Sequence, residues 1–252
     1  MVRIKTEARE RERERGTRSF CHEYDNIISV ENLLLSWQEF VCGKRSKEEV
    51  VNFSTDLMGN ILELREELFN KTYKHSKYVA FVINDPKTRS IHKAKVRDRL
   101  LHHAIYRVLY SYFDKKFIFD SYSCRNNKGT LRAVDRLRYL GRKVSKNNTK
   151  TVWVLKCDIR KFFANIDQQI LKKILKRYIQ DLDILWLLEE VIGSFQTEKS
   201  TGLGLPLGNL TSQLLVNVYM NEFDQFAKHV LKIKYYIRYA DDFVILDTDK
   251  NQ

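Results

Sequence analysis

The chain has 252 residues, of which 43% are apolar and 31% are charged, with only 2 Pro and 9 Gly. This length and composition allow one large domain or two smaller ones around a buried core, and they exclude a disordered, fibrous or low-complexity chain. Lys and Arg outnumber Asp and Glu by 45 to 32, which gives a net charge of +13. A globular protein this basic usually binds a polyanion, either nucleic acid or an anionic membrane surface.

Cysteine usage and hydropathy exclude secretion and membrane insertion. The four cysteines lie far apart without a C-x-x-C pair, so free thiols in a reducing, cytoplasmic compartment are the simplest interpretation. The N-terminus carries Arg and Glu where a signal peptide would need an apolar run. The longest uncharged run, residues 201–221, begins with helix-breaking Gly and Pro and leaves too short an apolar remainder to span a bilayer. We therefore predict neither a transmembrane segment nor a membrane partner.

The first half of the chain predicts helices and one hairpin. Residues 1–23, which include a run of alternating Arg and Glu without an apolar face, predict a charged N-terminal arm. Apolar residues at helical spacing predict helices over 27–41, with Ser29 as cap, and over 56–69. A β-branched and aromatic segment at 78–83 predicts a strand, followed by a turn at 84–86 and a returning strand from residue 90.

The second half predicts strands mixed with helices. Helices are indicated over 97–112, 130–140, 168–178 and 182–195, and the segment 206–226 begins as a loop and becomes a helix. The mostly apolar run 151–158 predicts a central strand, and 235–239 and 243–246 predict two strands hinged on an Asp pair. This order predicts an α+β fold built as two lobes.

Three carboxylates stand at the ends of apolar strands. Asp158 follows the run that begins at residue 151, and Asp241 and Asp242 lie between the last two predicted strands. Carboxylates brought together there would repel each other, and a hard divalent cation such as Mg²⁺ would relieve the repulsion. Two such ions would hold the attacking and leaving oxygens of a phosphoryl transfer. The alternative is that the Asp pair simply forms a hairpin turn.

Three blocks in a fixed order favour the catalytic interpretation. Asp158 is followed by the aromatic pair Phe162 and Phe163, residues 205–212 read L-P-L-G-N-L-T-S, and residues 239–242 read Y-A-D-D. Together these blocks resemble three consecutive polymerase blocks of reverse transcriptases. Leu207 and Gln213, where most members have Gln and Pro, resemble the reverse transcriptases of diversity-generating retroelements. The resemblance covers about residues 24–246, and retron and group II intron enzymes share the same blocks more distantly.

The resemblance implies the fold of a right-hand polymerase, with helical fingers that carry a β-hairpin and with an antiparallel palm sheet. Residues 24–150 would be the fingers with the start of the palm, and residues 151–252 the palm. Members of the family continue into further palm blocks and a helical thumb, so the resemblance implies a truncated palm with the thumb absent.

The resemblance also implies roles for individual residues. Asp158, Asp241 and Asp242 would be the catalytic, metal-binding carboxylates, joined by the Ile159 carbonyl and binding two Mg²⁺ ions, with Mn²⁺ as the alternative cation. The other implied substrate-binding residues are Phe163 as the steric gate against ribose, Leu207, Gly208 and Gln213 beside the nucleotide, and Lys87 and Arg89 at the triphosphate. The alternatives are a core aromatic for Phe163 and a solvated turn for the two cations.

Two further groups of residues have competing interpretations. Basic residues crowd the segment 125–146, with Tyr122 and Tyr139 interleaved, which indicates contact with nucleic-acid phosphates or a merely solvated helix face. His102 and His103 are adjacent and do not share a helix face, so structural histidines are favoured over a metal site.

Three functions remain open on this basis. The first is an RNA-directed DNA polymerase of a diversity-generating retroelement, which copies a template RNA into cDNA from deoxynucleoside triphosphates, makes errors at adenines, and works with a small basic accessory protein. The second is another reverse-transcriptase-like enzyme of the retron, group II intron or phage-defence type. The third is a truncated, non-catalytic RNA-binding remnant.

Overall fold

The structure is a computed structural model that describes residues 23–84, 88–198 and 201–250. The predicted arm at 1–23 lies almost wholly outside the described residues. The first half consists of α1 (Tyr24–Ile28), α2 (Val30–Phe40), α3 (Glu48–Ser54), α4 (Leu57–Phe69), β1 (Val79–Asn84), β2 (Thr88–Lys93) and α5 (Val96–Phe113). The second half consists of α6 (Thr130–Val144), β3 (Trp153–Cys157), α7 (Phe162–Asn165), α8 (Gln168–Tyr178), α9 (Leu182–Gly193), α10 (Leu210–Gln225), β4 (Tyr236–Tyr239) and β5 (Asp242–Asp247). The predicted mixture of helices and strands is confirmed.

The predicted helix over 27–41 is wrong in one respect, because it is two helices that meet at Ser29. Ser29 has extended backbone angles, φ −61° and ψ 142°, which end α1. Its Oγ then accepts a hydrogen bond from the Asn32 N–H at 3.1 Å and caps α2, as predicted. Sequence periodicity continues through such a break because the apolar spacing is the same on both sides.

A three-stranded antiparallel sheet occupies residues 153–247, in the order β3–β5–β4. The prediction that residues 151–158 form a central strand is wrong, since among the described strands β5 is central and β3 lies at the edge. Val154 is 60% exposed and Leu155 is 55% exposed. An apolar run alone does not distinguish a central strand from an edge strand, because the strand order depends on where the chain returns.

The larger hydrophobic core lies where α2 and α10 pack on α5. The helix α5 is central to it, and its most deeply buried apolar side chains are Leu100, Leu101, Ala104 and Leu109. A smaller core lies on one face of the sheet, where Leu140 and Val144 of α6 pack with Ile237 and Leu246. Among the described residues, no helix has both the length and the apolar character needed to cross a membrane.

Candidate active site

The three carboxylates predicted from the sequence lie together at one end of the sheet. Asp158 directly follows β3, whose last residue pairs with Phe243 of β5. Asp241 lies in the β4–β5 turn, and Asp242 begins β5 opposite Tyr239. One carboxylate oxygen from each of the three residues lies within 4.8 Å of the other two. The sheet register therefore brings two distant parts of the chain to one point.

The electrostatics of this cluster favour a bound cation. Burial raises the pKa of Asp241, and the negative charges of Asp158 and Asp242 raise it further, while the Arg89 guanidinium opposes the shift. Three carboxylates at this spacing supply the hard oxygen ligands that Mg²⁺ and Mn²⁺ prefer. The donor set therefore fits a divalent cation. Ile159, the fourth predicted ligand, follows Asp158 directly and is half-buried.

A buried ion pair supports the turn that carries Asp241. Arg238 and Asp224 are both 0% exposed, and the guanidinium donates from Nε and Nη2 to the two carboxylate oxygens at 2.8 and 2.7 Å. Arg238 Nη1 also donates to the carbonyl of Ala240 at 2.9 Å. Ala240 has a left-handed backbone, with φ +54°. The ion pair thus holds in place the residue that immediately precedes Asp241.

Sequence reasoning missed this ion pair, although both residues carry a signal. Arg238 is a charged residue in the otherwise apolar strand Tyr236–Tyr239, and Asp224 follows the apolar Phe223 near the end of α10. A charge on the buried side of such an element needs a partner. The sequence does not indicate which residue provides it.

The loop between α9 and α10 is hydrogen-bonded to the segment that follows Asp158. The Leu205 N–H donates to the Phe163 carbonyl at 2.8 Å, and the Gly204 N–H donates to the Ile166 carbonyl at 2.8 Å. The Phe163 ring is partly buried and packs against the larger core. The short helix that follows Asp158 therefore fixes the loop that carries Leu207.

The same loop binds the β1–β2 hairpin. The Leu207 carbonyl accepts a hydrogen bond from the His92 N–H at 3.3 Å, and Asn209 Nδ2 donates to the His92 carbonyl at 3.4 Å. Gly208 lies between them with φ +101°, and a Cβ there would lie 3.1 Å from Ile91 Cγ2. A glycine suits this position because the left-handed backbone and the close approach both disfavour a side chain.

Two of the remaining predicted substrate residues, Arg89 and Gln213, lie within the described part of the chain. Arg89 is exposed on β2, and its guanidinium offsets part of the raised pKa of Asp241. Gln213 is half-buried on α10 and, with Gly208, lines a cavity of about 460 Å³ that also contacts Lys93. Lys87 lies outside the described residues. The structure thus brings Arg89 toward the carboxylates and places Gln213 at the neighbouring cavity.

His102 is a structural histidine, as predicted. It is 2% exposed, and its Nδ1 hydrogen-bonds Thr211 Oγ1 at the start of α10. Its Nε2 lies 3.0 Å from Nε2 of His75. Burial lowers the pKa of His102 well below its usual value, with a further contribution from His75, so the ring stays neutral and joins α5 to α10.

Residues 74–252 match the protein family described as reverse transcriptase (RNA-dependent DNA polymerase). The chain is 25% identical over 169 residues to Protein YkfC of Escherichia coli (strain K12), which covers 65% of this chain and 44% of YkfC. It is 27% identical over 161 residues to the putative COX1/OXI3 intron 1 protein of Saccharomyces cerevisiae (strain ATCC 204508 / S288c), which covers 60% of this chain and 18% of that protein. The chain therefore spans less than half the length of either relative.

A solved structure has the same fold. A chain of the partial Cas6-RT-Cas1–Cas2 complex is 22% identical and superposes with a TM-score of 0.54, covering 93% of this chain and 39% of that one. At this identity the likeness concerns the fold alone. The family match extends over most of the sequence, including the three carboxylates and the loop that carries Leu207. The chain therefore belongs to the reverse transcriptase (RNA-dependent DNA polymerase) family.

Proposed function

We propose that this chain is an RNA-directed DNA polymerase that copies a template RNA into cDNA from deoxynucleoside triphosphates. The observation that carries the proposal is the convergence of Asp158, Asp241 and Asp242 at the end of an antiparallel sheet in a member of this family. Nucleotidyl transfer builds up negative charge on the phosphoryl oxygens, and three carboxylates can help to stabilise that charge only through the cations that they bind.

The metal centre would use the three carboxylates and the Ile159 carbonyl to hold two Mg²⁺ ions, with Mn²⁺ as an alternative. When bound, such ions polarise the phosphoryl oxygens and stabilise the attacking and leaving oxygens of an in-line displacement. The chain's own contribution is to hold its carboxylates in place before substrate arrives. The Arg238 contact to Ala240 supports this, since it fixes the backbone next to Asp241.

Residues around the carboxylates would position the nucleotide. Arg89 and Lys87 would hold the triphosphate, and the influence of Arg89 on the pKa of Asp241 supports its part. Phe163 would exclude a ribose 2′-hydroxyl, since it lies in α7, five residues after Asp158, and packs against the larger core, which limits its movement. Leu207, Gly208 and Gln213 would contact the incoming nucleotide or the templating base.

In this proposal the molecule is organised as a polymerase hand. Residues 24–150 would form the fingers, including the β1–β2 hairpin, with the start of the palm. Residues 151–252 would form the palm around the β3–β5–β4 sheet. The hydrogen bonds between His92 and the Leu207 to Asn209 segment support a functional link between the two parts.

The proposed type is that of a diversity-generating retroelement, error-prone at adenines and assisted by a small basic accessory protein. Leu207 and Gln213 support it, because both differ from the residues of most reverse transcriptases. An intron-encoded type is the second candidate, favoured by the likeness to the yeast intron protein.

Primer extension on an RNA template with Mg²⁺ tests the proposed activity. The purified chain should extend the primer with deoxynucleotides, and Asp242→Asn should abolish extension. Asp247→Asn is the matched control, because it makes the same change at the other end of the same strand. Extension that survives Asp242→Asn, or that falls equally with Asp247→Asn, would contradict the assignment of the site.

A further inference from the structure

We propose that the outer face of α6 binds single-stranded RNA at a surface separate from the carboxylate site. This surface, called here the α6 stripe, consists of Phe119, Arg132, Arg136, Tyr139 and Lys143. The four helical residues are spaced by four, three and four positions, so they lie on one face of the helix. The adjoining face of the helix is buried, because Leu140 and Val144 pack on the sheet.

Two aromatic rings of the α6 stripe are exposed around a fixed guanidinium. Phe119 is 66% exposed and Tyr139 is 52% exposed. The Arg136 Cζ lies 5.2 Å from the centroid of each ring. Asp120 holds this guanidinium through two hydrogen bonds, of 2.7 Å to Oδ1 and 3.1 Å to Oδ2. The rings are therefore held in position before a ligand binds, so a ligand that stacks on them loses little binding free energy to ordering the side chains.

Cations surround these rings. The Lys128 ammonium lies 3.6 Å from the Phe119 centroid, and the Lys143 ammonium lies 5.8 Å from the Tyr139 centroid. The helix Thr130–Val144 contains five basic residues and one acidic residue, Asp135, which pairs with Arg138. The charge of the surface is thus strongly positive, which suits a polyanion.

The combination of exposed rings and cations favours unpaired RNA over other polyanions. In a duplex the bases stack on each other and present only phosphates and groove edges to a protein. The exposed aromatic rings of the stripe would therefore find no base face to stack on. In a single strand each base offers a face to an aromatic ring while the phosphates meet the cations. An acidic protein would use the cations but has no comparable need for two flat rings.

The α6 stripe leads away from the carboxylate site. The helix begins beside β4, where Thr130 Oγ1 donates to the Tyr239 hydroxyl at 3.0 Å, two residues before Asp241. It then runs along the face of the sheet that carries the smaller core. An RNA strand bound to the α6 stripe would therefore be an uncopied segment of the template. It would lie next to the template segment that is being copied at the carboxylate site.

The test is binding of a fluorescent, unstructured single-stranded RNA to the full chain, measured by anisotropy in EDTA. The double variant Phe119→Ala/Tyr139→Ala should weaken binding about 30-fold or more, and its affinity for a blunt RNA duplex of equal length should stay the same. Leu131→Ala is the control, since Leu131 is 82% exposed on the same helix but off the stripe. Equal losses for the control, no loss for the double variant, or a parallel loss of duplex binding would each overturn the proposal.

Two further experiments test the contribution of the basic side chains to RNA binding and the position of the bound RNA on the protein. Lys143→Gln should reduce the slope of log affinity against log salt by about 0.7, and Arg138→Gln, which removes a charge off the stripe, should reduce it less. In the unmodified chain, 4-thiouridine RNA should crosslink to peptides that contain Phe119 or Tyr139. Crosslinks found only elsewhere, or competition by poly-glutamate as effective as that by RNA, would refute the surface. Because no catalysis is measured, Asp242→Asn should bind this RNA normally, so failure of the polymerase proposal remains distinguishable.

Discussion

Replacing Asp224 with Ala will unfold this protein at a much lower denaturant concentration, because it leaves a charged guanidinium buried without its counter-ion. Arg238 is 0% exposed, and its other hydrogen-bond acceptors are all neutral groups. Removing one partner of a buried ion pair costs about 3–5 kcal/mol. With a denaturant slope of about 2 kcal/mol/M, a loss of about 4 kcal/mol lowers the urea midpoint by about 2 M.

The assay is urea denaturation followed by circular dichroism, with primer extension measured on the same preparations. The double variant Asp224→Leu/Arg238→Met should regain part of the lost stability, because an apolar pair leaves no buried charge. It should not regain activity, since the Ala240 carbonyl still lacks its donor. A midpoint that barely changes in Asp224→Ala refutes the energetic argument. Full extension by the double variant refutes the positioning argument.

Five other substitutions have defined outcomes. Gly208→Ala should cost about 1–2 kcal/mol in urea denaturation because of its left-handed backbone, whereas Gly141→Ala inside α6 should stabilise by about 0.5–1 kcal/mol. Phe163→Ala should raise ribonucleotide incorporation, and an unchanged preference for deoxynucleotides would mean that the gate lies elsewhere. Leu207→Gln should lower misincorporation opposite adenines, which sequencing of the cDNA would measure. The Gln amide would add one net hydrogen bond, worth about 0.5–1.5 kcal/mol, so the error rate should change by roughly tenfold at most. His102 has a pKa below 6.5 in the folded state, so the unfolded chain binds the proton first and stability should fall as the pH drops below 6.5. His102→Gln should flatten that decline by up to about 1.4 kcal/mol per pH unit in denaturation curves.

The parts that the sequence predicts well depend on local pattern. The helix over residues 168–178 was placed at its observed bounds, and Ser29 was identified as a cap, because apolar spacing and capping chemistry act within a few residues. The convergence of Asp158 with the Asp pair was predicted because each carboxylate ends an apolar strand. Antiparallel pairing of those strands then brings their ends together.

The parts that the sequence does not predict depend on long-range packing. The edge position of β3 follows from where the chain returns, which no property of residues 153–157 reveals. The hydrogen bond between the His92 N–H and the Leu207 carbonyl joins two backbone groups, and backbone groups carry no sequence signal. The burial of Arg238 depends on its pairing with Asp224 from another element. The convergence of the carboxylates is therefore predictable from the sequence, whereas the contacts that support it are not.

The position of β3 has a practical consequence for handling the protein. One side of this strand has no hydrogen-bonded neighbour among the described strands, and Trp153, Val154 and Leu155 are all at least 46% exposed. Its backbone N–H and C=O groups can therefore accept a strand from a second molecule and extend the sheet across two chains. Concentrated solutions should self-associate through this edge. A Val154→Lys variant, which adds a charge beside Lys156, should keep the protein monodisperse.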